Sequence, residues 1–272
     1  MIGSVRAELL VLRKRTSTLV LLTIWTLLAT FFAYGLPYPE ADTGSSLAEL
    51  LPEGLAANLM RVFPFLGGVF ALMLGVLSIG SEYTWDTFKT LFTQRPGRLH
   101  VLAAKLLALG AVLVAFVLAL FLAGTLASYT VAQLKSAAVD WPSAWLLVRA
   151  MAAGWFILAV WAAFGVVLAA LSRGTALAIG IGILYSLVVE GLLGALARSV
   201  NAVEPLAEAF IRTNAYSIAK ALGTSTDSIA DAGPASFSGP YVGSGQALLV
   251  LAVYAASFVA LSAVVVRRRD VT

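Results

Sequence analysis

Long, predominantly apolar runs recur six times along the chain, and most charged residues gather in the stretches between them. An α-helix rises 1.5 Å per residue, so about 20 such residues cross the hydrocarbon core of a bilayer. The runs cover about residues 18–36, 62–80, 101–133, 145–171, 175–197 and 246–266. β-Branched and aromatic residues are scattered through them without strict alternation, which predicts helices rather than the strands of a membrane barrel. The pattern therefore predicts an all-α integral membrane protein, a single transmembrane domain over residues 1–272 with six transmembrane helices. The first run follows Arg13-Lys14-Arg15, as a signal peptide would. It is longer than the roughly 7–15 apolar residues of a signal and no small-x-small pattern comes after it, which predicts a retained helix.

Composition strengthens this reading. Of 272 residues, 60 % are apolar and 12 % charged, against roughly 45–50 % and about 25 % in soluble domains. So few charges cannot cover a water-soluble surface of this size. Cysteine is absent and His100 is the one histidine, which excludes disulfides, thiolate sites and metal sites needing several histidines. Neither a G-x-x-x-x-G-K-[ST] loop nor an H-E-x-x-H helix occurs. The chain is expected to be no enzyme, to hold no cofactor or metal, and to bind the lipid bilayer and not nucleic acid.

Charge asymmetry sets the expected orientation. With both termini in the cytoplasm, the inside segments hold Arg6, Arg13, Lys14, Arg15, Lys89, Arg95, Arg98, Lys105, Arg173 and Arg267-Arg268-Arg269, most of the 18 basic residues. The outside loop 37–58 is acidic through Glu40, Asp42, Glu49 and Glu53. By the positive-inside rule both termini are cytoplasmic.

The segments between the runs carry their own signals. Residues 5–15 mix Leu9, Leu10 and Leu12 with Arg6, Glu8, Arg13 and Lys14, as in a basic helix lying on the cytoplasmic face. Residues 81–92 are the densest charged and aromatic stretch. Ser81 and Glu82 suit a helix start. Trp85, Phe88 and Phe92 form one apolar face, Tyr83, Asp86 and Lys89 fall elsewhere around the helix, and Pro96-Gly97 ends it. Such a helix fits either a partner-docking surface or the headgroup layer. An outer amphipathic helix is expected over about 204–222, through Leu206, Phe210, Ile218 and Leu222.

Ionisable groups within spans are costly. Glu190, in the fifth run, is expected to face protein or a wet cavity. Two placements stand open: an ion pair with Arg149 or Arg198, or a place in a cargo path. Arg149 and Arg61, near the outer ends of their spans, are expected to extend outward. Gly180, Gly182, Gly191 and Gly194 predict close helix approach in span five. Trp25, Trp141 and Trp145 read as interface anchors.

Taken together, the basic start from Arg6 to Arg15, the stretch from Gly80 to Leu91 followed by Arg95-Pro96-Gly97-Arg98 and Lys105, and the six-run layout with a long fifth loop resemble the membrane subunit of type-2 ABC exporters, the ABC-2-type permeases. Asp86 stands where that family frequently has Gly. The resemblance implies a cytoplasmic interface helix at the N-terminus and short extracellular helices before helix six. It implies a coupling helix over 81–92, with Glu82, Tyr83, Trp85, Asp86, Phe88, Lys89 and Phe92 meeting a separate P-loop ATPase subunit. Two permease copies and two ATPase copies are implied, with ATP and Mg on the ATPase. Spans two and five then line the path, with Phe63, Phe65, Phe70, Met73, Tyr185 and Glu190 as candidate lining residues. The expected cargo is a drug, an antibiotic or a lipid-like amphiphile, and the expected location a bacterial-type inner membrane. The alternatives are an ATP-independent transporter or channel, and a permease serving cofactor or metalloenzyme maturation.

Overall fold

A computed structural model describes residues 2–41, 45–84, 97–197, 199–226, 237 and 239–268. Among them every regular element is helical. Six helices are long and apolar enough to cross a membrane: Thr16–Gly35, Phe63–Gly80, Leu99–Leu134, Ala144–Ser172, Thr175–Leu196 and Ser244–Arg268. The chain is thus a multi-pass membrane protein by length and composition of its helices.

In chain order, α1 (Ile2–Lys14) precedes α2 (Thr16–Thr30), which with a π-turn over Phe31–Gly35 makes span one. Short helices α3 (Ser45–Leu50) and α4 (Leu55–Met60) come next. Span two is a π-turn over Phe63–Gly67 continued by α5 (Gly68–Thr84). Spans three and four are α6 (Arg98–Leu134) and α7 (Ala144–Ser172). Arg173, at a left-handed φ of 56°, ends α7 and turns the chain straight into the next span. Span five is α8 (Thr175–Leu184), a π-turn over Tyr185–Val189 and α9 (Glu190–Leu196). Before span six, α12 (Ser244–Arg268), the segment expected as one helix over about 204–222 is two helices: α10 (Glu204–Glu208) and α11 (Ile211–Ala221). Phe210, extended at φ −70° and ψ 148°, separates them.

At one end of the bundle α1 lies on the start of α6. Glu8 accepts from the Lys105 ammonium through both oxygens at 2.9 Å, and Ser4 Oγ is 3.4 Å from His100 Nε2. Arg15 Nη1 donates to the Leu77 carbonyl at 3.0 Å, adding span two to the same assembly. At the opposite, far end the two longer connections meet. Thr224 Oγ1 donates to the Ala57 carbonyl and Ser225 Oγ to Glu49 Oε1.

Spans two and four form the centre. Of span two's apolar window 78 % is buried, against 17 % for span six. They cross backbone on backbone. A Cβ at Gly75 would overlap the Ala162 carbonyl, and one at Gly165 the Leu72 carbonyl. Gly68 faces the Trp161 indole and Gly154 the Phe63 ring. Small residues permit this approach where lipid offers no hydrophobic drive for association. The span-five glycines expected to do so mostly do not. Gly182 meets Leu72, but nothing lies within 4 Å of a Cβ at Gly180 or Gly194, because span five is peripheral with only 22 % of its window buried.

Trp25 is likewise no interface anchor. It is fully buried, donates from Nε1 to the Phe116 carbonyl at 3.2 Å, and packs its ring on Phe63 and Phe70 at 5.7 and 5.9 Å. The Phe116 carbonyl gives this buried indole N–H the acceptor that such a group favours. Trp141 and Trp145 are exposed.

Candidate functional site

Span five leaves α-geometry at Tyr185–Val189, where the Glu190 N–H donates to the Tyr185 carbonyl. A π-turn inserts one extra residue and re-aims the side chains beyond it. Val188 and Val189 stay exposed on the outer surface while Glu190 is turned inside and is 2 % exposed. Its Oε1 accepts the Ile211 N–H at 3.0 Å. Ile211 opens α11, and the first N–H groups of a helix have no intrahelical partner. Phe210, at the cap position, offers no side-chain acceptor. The carboxylate of another element therefore caps α11, with its charge at the positive end of the helix dipole. The Tyr185 hydroxyl and the Arg212 guanidinium also act on this carboxylate.

Arg212 sits one residue into α11 and is 5 % exposed. Its guanidinium carbon lies 4.8 Å from the centre of the Phe65 ring, 5.7 Å from Tyr216 and 5.8 Å from Phe237. Its Nη1 would be 3.9 Å from a Cβ at Gly191, beside Glu190. Tyr216 and Phe237 stack at 4.7 Å, and Tyr241 meets Phe237 edge-on at 5.6 Å. Lys220 lies over the Tyr241 ring at 4.5 Å. Burial pushes the Tyr216 hydroxyl up to about 12, against the opposing pull of Arg212. Asn214 Nδ2 donates back to the Glu208 and Phe210 carbonyls, and Ser217 Oγ accepts the Val242 N–H. Helix α11 is thereby fixed to the connection that leads into span six.

A second buried cation lies nearby in the fold. Arg61 does not extend outward as expected. It is 8 % exposed and donates from Nη2 to the carbonyls of Phe32 and Ala33 at 2.9 and 2.8 Å, while Asn58 Nδ2 also reaches Ala33. Burial lowers its pKa from the ordinary value, partly offset by Glu49 and Tyr34.

The expected path residues are divided by the structure. Phe65 and Glu190 come together around Arg212 and α11, and Tyr185 acts on Glu190. Phe63 and Phe70 pack into the centre against Trp25, and Phe63 also faces Phe121 at 6.4 Å. Met73 is half-buried in α5. Tyr185 stacks edge-on with Phe164 at 5.2 Å, and Phe164 with Phe258 at 5.1 Å. Arg149 is exposed on span four and forms no ion pair with Glu190 among the described residues; Arg198 lies outside them. Of the expected coupling residues, Trp85, Asp86, Phe88, Lys89 and Phe92 lie outside the described residues, and Glu82 and Tyr83 are described only as backbone closing α5. No group of three His, Asp or Glu among the described residues could hold a metal ion. The sequence reading missed Arg212, Tyr216 and Phe237. Arg212 and Tyr216 carried a signal, since their spacing puts them on one face of α11.

A family model, DUF2705, described as a protein of unknown function, matches residues 17–272. The chain belongs to the DUF2705 family. None of the curated proteins matches it. In this DUF2705 chain the match runs from the start of span one through the last span, and so takes in Glu190, Arg212 and the aromatic rings around them.

Proposed function

We propose that this chain is the permease subunit of an ATP-driven exporter of the ABC-2 type, working as a dimer with separate P-loop ATPase subunits. The observation that carries the reading is the ion pair of Glu8 with Lys105. It ties the N-terminal helix to the base of span three, at the end of the bundle where the charged and aromatic segment 81–92 connects spans two and three. A push on that segment is thereby transmitted to several spans together, and a rigid-body rearrangement needs such a linkage. Positive charge concentrated at this end supports placing it in the cytoplasm, where ATP is. The far end, closed by α11 on Glu190, is then the exit. Its aromatic lining fits an amphipathic cargo. ATP-independent transport is the competing reading, and the buried Glu190 carboxylate is the observation that favours it.

The test is purification of the full chain after co-expression with a candidate P-loop ATPase, followed by transport in proteoliposomes. The expected result is a stable complex whose cargo movement requires ATP. Glu82→Lys and Trp85→Ala should still insert in the membrane but lose the ATPase. Cargo movement without ATP by the chain alone would overturn the proposal.

A further inference from the structure

In the far-end cluster the chain's own arginine sits in a cage of aromatic rings. Three rings surround the Arg212 guanidinium within 5.8 Å, and the Glu190 carboxylate supplies the counter-charge. Such a cage favours a delocalised, weakly hydrated cation: aromatic faces attract it most strongly once water is excluded, and a buried carboxylate requires a positive neighbour. A compact ammonium binds less well, because its hydration is costlier to remove.

The site is assembled from four elements. Phe65 comes from the π-turn of span two, Glu190 from span five, Arg212 and Tyr216 from α11, and Phe237 from the connection into span six. The cation is thus on a different element from its counter-charge. If α11 lifts from span five, Arg212 and the Ile211 N–H leave together, while Glu190 and Phe65 stay behind in the spans. An uncompensated charge at that depth costs several kcal/mol. A cation arriving between spans two and five removes this cost and holds α11 away. The seated α11 and the bound cation are therefore mutually exclusive, and the exchange converts cargo arrival into opening of the far end.

We propose that Glu190 and Phe65 form the binding site for a lipophilic organic cation, the cargo, with Arg212 occupying the site while α11 is seated. The proposal rests on the exporter reading and deepens it by naming the cargo class: a delocalised single positive charge carried on apolar or aromatic substituents.

Binding to the purified full chain in nanodiscs of zwitterionic lipid tests it with no ATPase present. Failure to bind is therefore distinct from failure of the exporter reading, which the ATP requirement of transport decides. Tetraphenylphosphonium is the probe and tetraphenylborate, of the same shape and opposite charge, the control. Arg212→Ala removes the internal competitor and should tighten phosphonium binding about tenfold or more. Glu190→Gln should abolish that binding in both the native and the Arg212→Ala background. Phe65→Leu, which leaves the Glu190 cap in place, should weaken it severalfold. None of these changes should alter tetraphenylborate uptake. Unchanged or weaker phosphonium binding in a folded Arg212→Ala variant overturns the proposal. So does retained binding in Glu190→Gln, or borate uptake that tracks the phosphonium across the series. If Arg212→Ala fails to fold, Phe65→Leu decides: native-strength phosphonium binding there overturns the proposal.

Discussion

The guanidinium of Arg61 donates to the carbonyl of Ala33 at 2.8 Å, and the reason lies four residues beyond Ala33. An α-helix would satisfy this carbonyl with the N–H of residue 37, but residue 37 is proline and has none. The neighbouring carbonyl, Phe32, loses its partner too, because the Leu36 N–H is taken by Phe31 in the π-turn. Arg61 satisfies both orphaned acceptors, and Asn58 adds a second donor to Ala33. A costly buried charge is thus tolerated because it completes the end of span one.

Replacing Arg61 by Met should therefore destabilise more than loss of a surface arginine does. The Phe32 carbonyl is left without its donor, at about 1–3 kcal/mol, while Ala33 keeps Asn58 alone. Arg61→Lys, with one compact ammonium, should recover part of this. Thermal unfolding of the purified variants in detergent gives the order native, Lys, Met. A Met variant as stable as the native chain would show that these bonds do not hold span one.

The ion pair of Glu8 and Lys105 should respond unequally to the loss of either partner. The Lys105 side chain is 5 % exposed and that of Glu8 17 %. Glu8→Gln removes the counter-charge from the more buried member and should cost about 3 kcal/mol. Lys105→Met leaves a carboxylate that can turn to water and should cost less. Limited proteolysis near residues 14–16 reads the release of α1. Equal and slight effects would place the attachment of α1 elsewhere.

Two glycine substitutions separate the packed centre from the periphery. Gly165→Ala puts a methyl group against the Leu72 carbonyl and should cost about 1–3 kcal/mol, as overpacking does. Gly180→Ala meets nothing within 4 Å and should be neutral or stabilising by about 0.5–1 kcal/mol through helix propensity. Melting temperatures of the two variants should move in opposite directions or differ clearly in size.

Tyr216 gives a pH signature. Its hydroxyl is pushed up to about 12 by burial, while an unfolded tyrosine titrates near about 10. The folded state thus favours the protonated phenol. The stability this contributes is complete below pH of about 10 and is lost as pH rises through about 12. Alkaline titration followed by phenolate absorbance should show late-ionising tyrosines, and Tyr216→Phe should remove one of them. Unchanged late absorbance would place Tyr216 in contact with water.

How far the sequence exposed these features depends on the range of the interactions behind them. Six apolar helices were legible because each run is long, and bilayer thickness demands that length. Phe65, Tyr185 and Glu190 were also chosen for chemistry visible in isolation: rings and a carboxylate in apolar surroundings. Arg212 was not found, because its role depends on rings from two other elements. The glycines of span five were favoured because their spacing is dense. The decisive pair, Gly75 and Gly165, is matched across two helices and invisible along either one. Arg61 was misplaced because outward extension is the ordinary fate of an arginine at a span end. The orphaned carbonyls that draw it inward belong to another span.

The π-turn in span five sets the register of both its halves. One residue more than an α-helix needs is accommodated between Tyr185 and Glu190, and one residue corresponds to a rotation of about 100° around a helix of 3.6 residues per turn. The lower part of the span is phased to Leu72 through Gly182, and the upper part to α11 through Glu190. Span five thus meets two partners on two different phases. Straightening the turn into α-helix without removing a residue would rotate everything beyond it by about 100°. The carboxylate would then swing out towards the acyl chains while Gly182 kept its place, severing the helix from one partner without disturbing the other. Deleting Leu187 along with the turn would leave both contacts standing, because the turn absorbs that one residue.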